Sequence, residues 1–98
     1  MKLCILVAGA DAGLIPSLRR LYEEPGNEVK LFLYHDGVEL MGDPSFLELA
    51  RDMKTTVCSV SADERHQQKH DAITFGSLYD LSRMIAQSDR LVSFTRAS

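Results

Sequence analysis

Ninety-eight residues, 45% of them hydrophobic, suffice for one compact domain that buries about two thirds of its unfolded surface, with no room for a second. A formal charge of -3, with no Lys or Arg cluster beyond Arg19-Arg20, lacks the electrostatic footprint of a nucleic-acid binder. No apolar run approaches the roughly 20 residues of a membrane span, so neither nucleic acid nor a membrane is an expected partner.

Met1-Lys2 ahead of Leu3–Ala10 has the outline of a short leader. Its apolar core is at the lower limit for one, and the same residues read as the first strand of a sheet, so the expected location is the cytoplasm. Lys2–Ala8, bounded by Gly9, suits a strand buried on both faces. Gly9-Ala-Asp-Ala-Gly13 reads as a strand-to-helix loop; it has neither the spacing of a dinucleotide fingerprint nor a Walker Gly-Lys-Ser/Thr. Pro16 in a first turn, with Leu18, Leu21 and Tyr22 at helical spacing, predicts a short helix ended by Pro25-Gly26. Residues 28–35 predict the second strand, closed by a tight turn at Asp36-Gly37.

Asp43 as N-cap with Pro44 at the first helical position opens the most regular helix, in which Phe46, Leu49, Ala50 and Met53 recur on one face. Thr55–Cys58 is a β-branched third strand that ends on a cysteine. Ser61 followed by Glu64 is a capping-box pattern, which predicts a polar helix over roughly 62–69 and then a loop from His70 to Gly76. Ser77, with Asp80 at the third helical position, caps a helix through Ala86 that carries Leu78, Leu81 and Ile85. Leu91–Phe94 is the last strand, and Thr95–Ser98 reads as a frayed tail.

Strands alternating with helices imply an α/β three-layer sandwich with a mostly parallel four- to five-stranded sheet, flavodoxin-like in arrangement. Ligands and chemistry gather beyond the carboxyl ends of such strands. Here those ends are Gly9–Gly13, His35–Gly37, Cys58–Ser61 and Thr95. Cys4 begins its strand and Cys58 ends its own, an offset of about 10 Å or more against a bridging limit near 7 Å, so both are expected to be free thiols.

Three stretches then resemble a known family: Val29-Lys-Leu-Phe-Leu-Tyr-His-Asp-Gly-Val38, Val57-Cys-Ser-Val60, and the run from Phe75 through Asp89-Arg90 to Phe94. In this order they are similar to the DsrE/DsrF-like (TusD-like) sulfur-relay proteins. The resemblance implies that Cys58 accepts a sulfane sulfur as a persulfide, with sulfur donor and acceptor proteins as partners and no cofactor. It also implies a trimer, a hexamer or a hetero-complex, for which Val38, Leu40, Met41, Phe75 and Tyr79 are the apolar surface candidates.

A relay cysteine works as the thiolate, and the start of a helix beside Cys58 favours that form, partly offset by Asp63 and Glu64. The bland reading is a small buried hydrophobe. His35 ends its strand on the same edge and is a weaker candidate acid. His66 and His70 stand four apart, a spacing that needs a further converging ligand to hold a metal. A receiver-type phosphoacceptor would require an aspartate where Cys58 stands. Three readings remain open: a persulfide carrier, a small-ligand or nucleotide-binding module, and a non-catalytic oligomeric subunit.

Overall fold

The computed structural model describes residues 1–9, 11 and 13–94. Thr95, the expected end of the last strand's edge, lies outside them. Five strands form one all-parallel sheet in the order β4-β3-β2-β1-β5: β1 (Lys2–Val7), β2 (Glu28–Leu33), β3 (Lys54–Cys58), β4 (Ile73–Gly76) and β5 (Arg90–Phe94). Between them run α1 (Leu14–Glu23), a 3-10 helix (His35–Gly42), α2 (Pro44–Ala50), α3 (Ser59–Glu64) and α4 (Leu78–Ala86). The fold is the expected α/β sandwich of flavodoxin-like type. Among the described residues no helix is long and apolar enough to cross a membrane.

The strand order fixes the layers. Each step from β1 to β4 moves one place in the same direction, so right-handed crossovers put α1, α2 and α3 on one face of the sheet. The chain then returns from β4 to β5 past three strands, which puts α4 alone on the other face. The main core fills the three-helix side, where Ile5, Leu31 and Val57 meet Leu18, Phe46 and Leu49, all fully enclosed. Alternation sends Cys4 and Phe32 to the α4 side, and the Lys30 side chain on that side donates to Gln87 just past the end of α4, at 3.2 Å.

Cys4 is fully buried, and burial pushes its thiol above the ordinary range, with neighbouring Lys30 pulling weakly the other way. The unfolded chain therefore releases this proton first as pH rises, so the folded state loses stability above the ordinary thiol pKa. Urea midpoints measured across that range will fall with pH in the wild type and less steeply in Cys4→Ala. Equal slopes would mean that Cys4 does not contribute. Both cysteines are free. Cys58 lies four residues beyond the level of Cys4, about 13 Å along the strand direction, and two strands away.

Four expected elements differ from those observed, in kind or in extent. Residues 73–76 form an edge strand paired with β3 rather than a loop; it is four residues long with only Ile73 buried, too short to display an alternating pattern. The turn at Asp36-Gly37 is the start of an eight-residue 3-10 helix that carries Val38, Leu40 and Met41 into the core. The helix after Cys58 spans Ser59–Glu64 rather than 62–69, so it begins on the residue after the cysteine. The helix after Asp43 is as expected at its start, with the Asp43 carboxylate accepting from the Ser45 amide at 2.8 Å, but it ends at Ala50, short of Met53.

Candidate functional site

The connection leaving β3 goes to α3 on one face, and the connection leaving the neighbouring β4 goes to α4 on the other. Where two adjacent connections part, the sheet leaves a crevice beyond the strand ends, the place where open α/β sheets bind ligands. A crevice of about 470 Å³ lies there, lined by Cys58, Ser59 and Val60 from one connection and by Gly76, Leu78 and Tyr79 from the other. Tyr34, His35, Ser61, Glu64 and Ser77 complete its walls. The sequence points to Cys58 and His35 but not to the α4 wall, because residues 73–76 alone read as loop.

Cys58 is the residue before α3, in extended conformation at φ -65 and ψ 115, and the chain turns helical immediately after it. In the pairing register it stands opposite Gly76 and one place beyond the Val57–Leu33 pair. Only 5% of its surface is exposed, less than the partly accessible thiol expected, and that exposure opens into the crevice it lines. The opposite wall is lightly held: none of the residues of α4 is buried, so moving its first turn disturbs little packing. A side chain at Gly76 would collide with the Asp80 carboxylate at 2.6 Å and the Thr56 methyl at 2.9 Å, so glycine keeps this part of the crevice clear.

His35 adopts φ 54, a left-handed conformation that costs a non-glycine residue about 1–2 kcal/mol. Two contacts hold it there. Its amide donates to the buried Ser61 hydroxyl at 3.0 Å, and the Asp36 carboxylate receives the Arg65 Nε and a terminal nitrogen at 3.0 and 2.9 Å. Arg65 also donates to the Ser61 carbonyl at 3.3 Å. Ser61 thus ties the end of β2 to α3 instead of capping a helix, which corrects the Ser61–Glu64 capping-box reading. The Ser77–Asp80 box is present, with the Asp80 carboxylate accepting from the Ser77 amide at 2.7 Å and its hydroxyl at 3.2 Å.

The other candidates separate from this edge. In the Gly9–Gly13 loop the Asp11 carboxylate accepts from the Gly13 amide at 2.8 Å, so an anion of the protein's own already occupies that donor. Ala10 and Ala12 lie outside the described residues. His66 and His70 do not share a helical face, because α3 ends at Glu64 and His66 is left-handed at φ 55. Among the described residues no group of three His, Cys, Asp or Glu side chains is placed to hold a metal ion. Of the apolar surface candidates, Val38, Leu40 and Met41 are core and Phe75 is half-buried, which leaves Tyr79 exposed. Among the described residues the exposed large apolar side chains are Met1, Val60, Leu78, Tyr79, Ile85 and Leu91.

No family model matches this chain, and no curated protein matches it. Among solved structures, the crystal structure of the YchN protein from E. coli superimposes with a TM-score of 0.73 over 96% of this chain and 100% of that one, at 22% sequence identity. A likeness at that identity is a likeness of fold, and it agrees with the three-layer parallel architecture described above.

Proposed function

We propose that this chain is a DsrE-like sulfur-relay protein, a sulfurtransferase or persulfide-carrier subunit that works in the cytoplasm and carries sulfane sulfur on Cys58. The observation that supports this reading most is that Cys58 ends a central strand and lines the crevice where the β3 and β4 connections part. In the reaction the Cys58 thiolate attacks the outer sulfur of a donor persulfide. A new sulfur–sulfur bond forms to Cys58, the donor's own bond breaks, and the donor's inner sulfur leaves with the electron pair as a thiolate. The transferred sulfur keeps its proton. In the second half the thiolate of an acceptor repeats the step on the Cys58 persulfide. No net oxidant or reductant enters, and sulfur donor and acceptor proteins are the partners.

Isolation of the protein from cells followed by intact-mass analysis tests the assignment: a mass increase of one sulfur that maps to Cys58 and is removed by cyanide supports it, and its absence after incubation with any persulfide donor overturns it. A second reading, a small-ligand module, is favoured by the crevice volume, which falls in the range of small-molecule sites. Ligand binding that survives Cys58→Ser with no sulfur uptake by the wild type would select it.

The reading includes assembly as a trimer or hexamer or within a hetero-complex. Ile85 at the C-terminal end of α4 and Leu91 on the edge strand β5 are exposed and apolar, a surface that association would cover. Sedimentation at micromolar concentration will give a species larger than the monomer; a monomer throughout, alone and with candidate partners, would contradict it.

A further inference from the structure

We propose that the crevice selects its sulfur donor by charge, taking a persulfide whose carrier is uncharged and apolar beside the sulfur and turning away anionic carriers. This rests on the relay reading and adds the substrate class to it. Around Cys58, itself only 5% exposed, the crevice presents Val60, Leu78 and Tyr79 at 66%, 52% and 71% exposure. A carrier that reaches Cys58 must therefore leave water against apolar side chains.

The charged side chains at the crevice point the same way. Among the described residues no lysine or arginine lines it, while the Glu64 carboxylate does. The Arg65 guanidinium at the end of α3 is engaged by Asp36 and the Ser61 carbonyl. The start of α4, which would otherwise attract an anion, has its Ser77 amide and hydroxyl on the Asp80 carboxylate. The Ser61 hydroxyl, which accepts from the His35 amide, is buried and bears no charge. A carboxylate brought in on the carrier meets the Glu64 carboxylate and loses water with no lysine or arginine to pair it, and the crevice disfavours it on both counts. A carrier that is uncharged beside its persulfide meets neither penalty.

The test compares the persulfides of N-acetylcysteine and of its methyl ester, which share their sulfur chemistry and differ by one carboxylate. The initial rate of sulfur gain on Cys58 is followed by intact mass, each normalised to the same donor's rate with an exposed cysteine peptide. The ester is expected to load wild-type Cys58 about tenfold faster, and Leu78→Arg, which places a cation at the mouth, should bring the ratio close to one. Glu64→Gln, at an exposed position, should narrow it about threefold and serves if Leu78→Arg folds poorly by circular dichroism. Equal normalised rates in the wild type, or a ratio unmoved in both variants, overturn charge selection while leaving the relay reading in place. If neither donor loads Cys58, the relay reading fails and the proposal with it.

Discussion

Cys58→Ser will reduce persulfide uptake to background while the protein stays folded. The oxygen of serine cannot hold a sulfane sulfur, so the loss is complete rather than graded. The structural cost is small, about 1 kcal/mol, because the substitution is nearly isosteric and the position borders a crevice in which a hydroxyl can be hydrated. The same measurement on Cys4→Ser will leave uptake intact and lower stability by about 1–3 kcal/mol, since that side chain is fully enclosed on the α4 face of the sheet. Iodoacetamide separates the two thiols in the native wild type. Alkylation of Cys4 needs an opening that exposes a central strand, whereas Cys58 needs only a shift of the first turn of α4, so Cys58 should react at least about a hundredfold faster. In urea the rates will converge. Native rates that are equal would mean that the 5% exposure of Cys58 gives the reagent no route in, and the relay reading should then yield to the ligand-binding one.

The elements legible in the sequence are those whose signal is local. Asp43-Pro44 and Ser77 with Asp80 begin helices where their side chains accept from the helix start, and each does so here. The long apolar runs of β1 and β2 announce a buried parallel sheet before any partner is known. What stayed hidden depends on contacts distant in sequence. β4 exists because β3 offers it a hydrogen-bonding edge, and nothing in Ile73–Gly76 alone demands a strand. Ser61 has the composition of a cap, yet its hydroxyl is claimed by the His35 amide, 26 residues away. That contact, together with the Arg65–Asp36 pair beside it, holds His35 in its left-handed conformation. Cys58 was legible as a strand-end cysteine. Its surroundings were not, because the apolar wall of Leu78 and Tyr79 reaches it only once β4 pairs beside β3.

Gly37→Ala will be the most destabilising single methyl addition among the glycines near this edge, lowering stability by about 3 kcal/mol and the melting temperature by about 10–20 °C. Its backbone has no positive φ, so conformational freedom is not the reason for glycine. The reason is proximity: a Cβ here would stand 2.1 Å from the Val7 carbonyl oxygen and 2.8 Å from its carbon. That oxygen accepts from the Tyr34 amide at 2.9 Å, the last rung between β1 and β2. Because the obstacle is backbone, no rotamer change relieves it, and either the 3-10 helix lifts from the sheet or the rung breaks. Both responses displace Tyr34 and His35, so any variant protein that remains folded should also load Cys58 more slowly. Gly42→Ala, at the other end of the same 3-10 helix, is the control: nothing lies within 4 Å of the added methyl, and its effect should stay within about 1 kcal/mol, with stabilisation as the expected sign. Thermal unfolding of the two variants side by side decides the matter, and equal melting temperatures would show that the end of β1 can yield without disturbing the site edge.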